Sequence, residues 1–183
     1  MELDLCPAVT LQTGTFCALV APPGLVTSPL NSNPGLRRFM FLYICGNYSR
    51  VLSDVRVTAS TFEVRRAFTA FQLLTALAEA SHTIVLVEHD PSLYDGDDGG
   101  KVIAQVGSAF RNAARDAMVI LYAPSADMHF HALAKRADRV FYLAPETPGF
   151  AYGSTRGRAR HGPGGRNGRE GAKRQMTLER FNG

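Results

Sequence analysis

Short, nearly continuous apolar runs alternate along this chain with longer stretches in which apolar residues return at helical spacing. The runs Phe16–Val20, Phe41–Cys45, Val55–Val57, Thr83–Glu88, Ala117–Tyr122 and Arg139–Leu143 predict strands. Their unbroken apolar character is that of strands covered on both faces of a parallel sheet. Thr69–Ala80, Val102–Arg115 and Asp127–Arg136 predict helices. Strand and helix in alternation predict an α/β fold: a mainly parallel open sheet flanked by helices, joined by right-handed crossovers.

The pattern stops near residue 150. Between Ala151 and Arg174 the chain holds seven glycines and six arginines with almost no large apolar side chains. Such a segment cannot bury enough surface to offset its ordering entropy, so a disordered tail is expected. Apolar residues return only at the end, in Gln175-Met176-Thr177-Leu178-Glu179-Arg180-Phe181. Three parts follow: a folded domain over 1–150, a flexible Gly/Arg-rich linker over 151–172, and a terminal peptide over 173–183.

Charge sharpens this division. The formal net charge is +4, yet residues 1–150 hold 12 Lys and Arg against 14 Asp and Glu, while residues 151–183 hold 8 against 2. Basicity belongs to the tail, and a uniformly basic nucleic-acid surface on the folded part is not indicated. Three widely spaced cysteines, Cys6, Cys17 and Cys45, form no C-x-x-C pair and suit neither a disulfide framework nor structural zinc. No apolar run is long enough for a membrane span and the first residues lack a basic leader, which predicts an intracellular, cytoplasmic protein with no membrane partner.

Four segments in order carry a resemblance. Phe41-Leu42-Tyr43-Ile44-Cys45-Gly46-Asn47 resembles the strand after the P-loop helix of the RecA/RadA superfamily of ATPases. Arg66-Ala67-Phe68-Thr69-Ala70-Phe71-Gln72-Leu73 is similar to that family's lead-in to the next helix. Thr83-Ile84-Val85-Leu86-Val87-Glu88-His89-Asp90 resembles its Walker B strand, and Ala137-Asp138-Arg139-Val140-Phe141-Tyr142-Leu143 a late core strand. Together they cover most of the folded part and are nearest the archaeal RadB-like paralogues, implying a RecA-like core.

The resemblance fails where the chemistry belongs. A P-loop needs G-x-x-x-x-G-K-[ST], so that backbone N–H groups wrap the phosphates, Lys reaches the β- and γ-phosphates, and a hydroxyl holds magnesium. After Phe16–Val20 this chain reads Ala21-Pro22-Pro23-Gly24-Leu25-Val26-Thr27-Ser28. Val26 and Thr27 stand where the second Gly and the Lys belong, and Pro22, Pro23 and Pro29 remove amide donors. In the family a glutamate after the strand matching Phe41–Cys45 activates water; here the positions hold Cys45, Gly46 and Asn47. The degenerate nucleotide site thus comprises Gly24, Thr27, Ser28, Glu88 and Asp90, and no hydrolysis is expected. The connection Asn31–Phe39, interrupted by Pro34 and Gly35, is short for a P-loop helix.

The terminal peptide adds a second resemblance. Gln175-x-x-Leu178-x-x-Phe181 resembles the peptide that docks on the PCNA sliding clamp, with Asn182 in place of its second aromatic. On one helical turn Leu178 and Phe181 make an apolar plug, Met176 assists, and Gln175 hydrogen-bonds beside it. Arg156, Arg158, Arg160, Arg166 and Arg169 of the linker would track a nucleic-acid backbone weakly, or only keep the tether soluble.

Other features carry less. Asp95-Gly96-Asp97-Asp98-Gly99-Gly100 resembles a calcium loop but has Val106 where the twelfth-position Glu belongs, and is expected to be a solvated acidic loop. His129 and His131 face different directions on a helix. His82 and His89 flank a strand, where surface or capping roles are expected. The sequence therefore predicts a non-catalytic, cofactor-free accessory protein of DNA replication or repair, nucleoid-associated through the clamp. A RecA/RadA-type recombinase or a DNA polymerase would be the further partner of the core. Two alternatives stay open: a RadB-like recombination mediator that still binds ATP and magnesium, and a single-strand-DNA-binding factor driven by the arginine tail.

Overall fold

The computed structural model describes residues 2–6, 9–56, 61–95 and 99–143. The chain divides into units Met1–Glu146 and Thr147–Gly183, and every described residue belongs to the first. The Gly/Arg linker, its five arginines and the terminal Gln175, Met176, Leu178 and Phe181 lie outside the described residues, as do residues 96–98 of the acidic segment.

Six parallel strands form one open sheet. They are β3 (Thr15–Val20), β4 (Phe41–Cys45), β5 (Phe62–Arg66), β6 (Ile84–Glu88), β7 (Met118–Ala123) and β8 (Arg139–Tyr142), in the order β5-β4-β6-β7-β3-β8. Every residue of β4, β6 and β7 is buried, as expected of central parallel strands with both faces covered. An antiparallel pair, β1 (Glu2–Cys6) and β2 (Val9–Gln12), precedes them.

Side-chain alternation divides the core into two layers. Leu42, Ile44, Val85, Val87, Val119 and Leu121 face α2 (Ala70–Ala78), α3 (Gly99–Ala113) and α4 (Met128–Ala134). Tyr43, Leu86, Ile120 and Tyr122 face the other way, toward Val26 and Leu30 of α1 (Pro23–Ser32) and Val9 and Leu11 of β2. Phe16 anchors the first layer, fully buried and stacked on Phe110 with ring centroids 4.9 Å apart. The resemblance segments also do local work. Thr69 caps α2 by accepting the Gln72 N–H, and Gln72 in return accepts the Phe68 N–H at 2.7 Å, a reciprocal cap. Asp138 accepts the Phe16 N–H at 2.9 Å and pairs with Arg111 at 2.7 Å, pinning the start of β8 to β3.

One expectation is corrected, and the structure adds β5 and α1 to the elements expected. Val55–Val57 is not a strand: Val55 and Arg56 carry no regular structure and Val57 lies outside the described residues. Asn31 explains this, donating to the Asp54 carbonyl at 2.8 Å and accepting the Arg56 N–H at 2.7 Å, so side-chain bonds replace a ladder. The strand in question is Phe62–Arg66, an edge strand whose alternating charges break the apolar run. Finally, Pro23–Ser32 is a helix. Pro23 occupies its first turn, where a missing N–H costs nothing and the fixed φ suits the helix, and the 3-10 turn Pro34–Arg38 follows.

Candidate functional site

In open parallel sheets ligands bind outside the carboxyl ends of the strands, where neighbouring connections leave toward opposite faces. Here that place lies between β3, whose chain continues into α1 on one face, and β7, which leads to α4 on the other. Gly24, Thr27, Ser28, Glu88 and Asp90 all come to this edge, with β7 between the two groups. The cradle that would join them is missing. Only Ala21 and Pro22 separate the end of β3 from the start of α1, too few to wrap a phosphate. Pro22 and Pro23 offer no N–H, and the Leu25 N–H already donates to the Pro22 carbonyl at 3.0 Å.

The remaining site positions are turned to structure. Thr27 is buried, with its hydroxyl toward the Gly24 carbonyl at 3.5 Å, while Gly24 and Ser28 are exposed. Tyr122, fully buried, donates to the Ala21 carbonyl at 3.2 Å and so fills the crevice mouth. Burial, reinforced by the nearby Glu88, raises the Tyr122 phenol to about 12, so it stays a donor.

Glu88 is only 5% exposed and both carboxylate oxygens are engaged: one accepts the Tyr43 hydroxyl at 2.5 Å, the other the Arg50 N–H at 2.8 Å. Ser49 organises the same turn, accepting the Val51 and Leu52 N–H groups at 3.2 and 2.8 Å. Burial first, then the hydrogen bond to Glu88, pushes the Tyr43 phenol up, keeping its proton available to that carboxylate. Glu88 thus ties the Ser49–Leu52 turn to the sheet, with no oxygen left uncommitted.

Asp90 is likewise committed. One oxygen accepts the Ser92 N–H at 3.0 Å and the Ser92 hydroxyl at 2.7 Å, capping the 3-10 turn Pro91–Tyr94. The other lies over Gly46, close enough that a Cβ there would meet it at 2.0 Å. Gly46 is one of the positions where the RecA/RadA resemblance implies a water-activating glutamate, and Asp90 leaves no room there for a side chain. Arg66 closes the turn by donating to the Gly46 and Asn47 carbonyls at 3.2 and 2.7 Å.

Of the surface or capping roles expected for His82 and His89, the surface role is corrected: both are buried, because residues entering and leaving β6 remain under the helices. His82 Nε2 lies 3.1 Å from Glu63. His89 turns away from Glu88, stacks on Tyr94 with centroids 5.8 Å apart, meets the edge of Phe130, and holds Asp127 at 2.9 Å through Nε2. Asp127 also caps α4 by accepting the Phe130 N–H at 2.8 Å. Facing a carboxylate, Nε2 carries the proton, which leaves Nδ1 as an unpartnered buried acceptor.

Burial holds His89 below its ordinary range despite the opposing pull of Asp127. The unfolded chain takes up this proton near pH 6.5, and the folded chain only at lower pH. Below about 6.5 the unfolded state therefore binds more protons, and stability falls as the pH drops. Denaturant midpoints should decline between pH 7 and 5.5, and His89→Gln should flatten the decline; equal slopes in both proteins would remove His89 as the cause.

Other chemistry is sparse. Cys17 and Cys45 are free and buried, and burial pushes both thiols up, away from the reactive thiolate. Among the described residues no group of three or more His, Cys, Asp or Glu is placed to hold a metal ion, and no helix is long and apolar enough to cross a membrane. A cavity of about 460 Å³ lies at the opposite, amino edge of the sheet, lined by Leu77, His82, Asn112 and Asp116 among others. Sequence reasoning missed Tyr43, Ser49, Tyr122 and Asp127, the groups that occupy the carboxyl edge. The hydroxyl-bearing tyrosines of the buried runs, Tyr43 in the middle of Phe41–Cys45 and Tyr122 at the end of Ala117–Tyr122, were the available clue.

No family model matches the chain. Over 138 residues it is 33% identical to an uncharacterized protein of Archaeoglobus fulgidus, a match covering 75% of this chain and 69% of the other. The chain belongs to the family of that archaeal protein.

Proposed function

We propose that this chain is a non-catalytic accessory protein of DNA replication or repair, a RecA-like core without an ATPase site that is tethered to the PCNA sliding clamp by its C-terminal peptide. The observation that carries the non-catalytic half is the junction of β3 and α1, where only Ala21 and Pro22 connect the two elements and neither Pro22 nor Pro23 offers an N–H for a phosphate. Support for a RecA-like ancestry comes from the shared carboxyl edge of β3 and the acid-ended β6. The commitment of Glu88 to Tyr43 and Arg50 supports loss of the metal-binding role. Clamp binding rests on the spacing Gln175-x-x-Leu178-x-x-Phe181 at the end of an arginine-rich tether, whose charge would steer it toward clamp-bound DNA. A recombinase or polymerase would then meet the core.

Titration of the full-length chain into purified clamp is the test. Binding is expected, and Phe181→Ala, which removes the aromatic plug, should weaken it about tenfold. Absence of heat, or heat indifferent to Phe181→Ala, rejects the clamp. Separately, ATP with magnesium should leave the melting temperature unchanged; a saturable rise would favour the nucleotide-binding mediator instead.

A further inference from the structure

Among the described residues the sheet ends at β5, which pairs with β4 alone. The Phe41 N–H donates to the Thr61 carbonyl at 2.8 Å and the Ala67 N–H to the Cys45 carbonyl at 2.9 Å. Backbone direction alternates along a strand, so the odd-numbered residues of this stretch face β4. Phe62, Val64 and Arg66 therefore aim their N–H and C=O groups outward, and among the described residues nothing receives them. Val64 is 40% exposed at the centre of this open row.

We infer that β5 pairs antiparallel with β5 of a second copy of this chain, about a two-fold axis through Val64. The strand Phe62-Glu63-Val64-Arg65-Arg66 complements itself in that register. Val64 meets the second copy's Val64 and Phe62 meets its Arg66. These are the outward-facing residues, so each opposed pair exchanges both N–H···O bonds, as antiparallel geometry requires. On the other face Glu63 comes opposite the second copy's Arg65, and Arg65 opposite its Glu63. Within one chain Glu63 and Arg65 already lie 2.6 Å apart, and Arg65 holds Glu79 at 2.9 Å. Pairing would join these contacts into one alternating network across the axis. A one-residue shift would oppose outward and inward amides, and a two-residue shift would lose the charge match, so the register is specified. The closed two-fold also consumes the exposed edge, which an open strand leaves available for aggregation. Charge complementarity of the strand with itself is what selects a second copy over a foreign strand, and this inference stands apart from the clamp reading.

Sedimentation of the full-length protein should show a dimer. Val64→Pro deletes an outward N–H that the chain's own sheet does not use, and should raise the dimer dissociation constant at least about tenfold. Glu63→Arg and Arg65→Glu, each alone, set like charges across the axis and should weaken self-association to a similar degree. An equimolar mixture of those two variants should recover the dimer, because each chain then offers the charge the other needs. Cooperative melting of the variants confirms that they are folded. A monomer at about 100 μM, a dimer indifferent to Val64→Pro, or a mixture no tighter than its components would each overturn the pairing and leave the edge to a strand of another chain.

Discussion

Glu88→Ala is expected to cost about 3 kcal/mol of folding stability, since it removes the acceptor of the Tyr43 hydroxyl and the Arg50 N–H at a site almost closed to water. The direction separates two roles. An acid kept to hold a metal sits in an environment tuned for the ion, and its removal commonly leaves stability unchanged or improved. An acid that anchors a turn should behave oppositely. Tyr43→Phe should cost less, because Arg50 still reaches Glu88. The double variant should cost clearly less than the two single losses added together, reflecting their shared bond. Denaturant unfolding with an unchanged m-value is the measurement; a loss under about 1 kcal/mol for Glu88→Ala would show that the anchor is dispensable.

Gly46→Ala, a change of one methyl group, should destabilise the fold by about 2 kcal/mol. The new Cβ would stand 2.0 Å from the Asp90 Oδ2 and 2.9 Å from its Cγ, while Asp90 is held in place by Ser92. Asp90→Ala alone should cost about 1 kcal/mol, the value of a lost cap. Gly46→Ala added to Asp90→Ala should then cost little more, because the obstructing carboxylate has gone. If the two losses simply add, the close approach is not the source of the strain. The same contact bears on chemistry: a glutamate cannot be placed at position 46 without displacing Asp90, so the packing leaves no room there for a general base.

The parts of this fold that could be read from sequence are those whose side chains meet one environment. Phe41–Cys45 is buried throughout, and its unbroken apolar run marked both ends correctly. Phe62–Arg66 escaped because an edge strand has one partner and exposed residues, and Glu63, Arg65 and Arg66 interrupt its apolar positions. The helix α1 was not marked either: Pro22, Pro23 and Pro29 stood out only as residues without amide donors, although two of them stand at the helix start, where proline is tolerated. At the site, the absence of the Lys and second Gly that a P-loop would require was visible as residue types. What occupies their place was not, because Tyr122 reaches the Ala21 carbonyl across about a hundred residues of chain. Glu88 and Asp90 were identified, but whether a carboxylate is free or engaged depends on Tyr43, Arg50 and Ser92 around it.

The position of β3 sets an order of events during synthesis. This strand leaves the ribosome before the other five of the large sheet, yet its two neighbours are the last to be made, β7 and β8. Until then Phe16, Leu19 and the backbone of the strand have no partners in that sheet. The segment from β4 through α3 can meanwhile assemble on near-neighbour contacts, β4 with β5 and β6. Folding should therefore finish by insertion of the early-made strand between late-made ones. In pulse-labelling hydrogen exchange, the amides of Thr15–Val20 should gain protection after those of β4 and β6, although in the native state β3 is an interior strand, paired on both sides by β7 and β8.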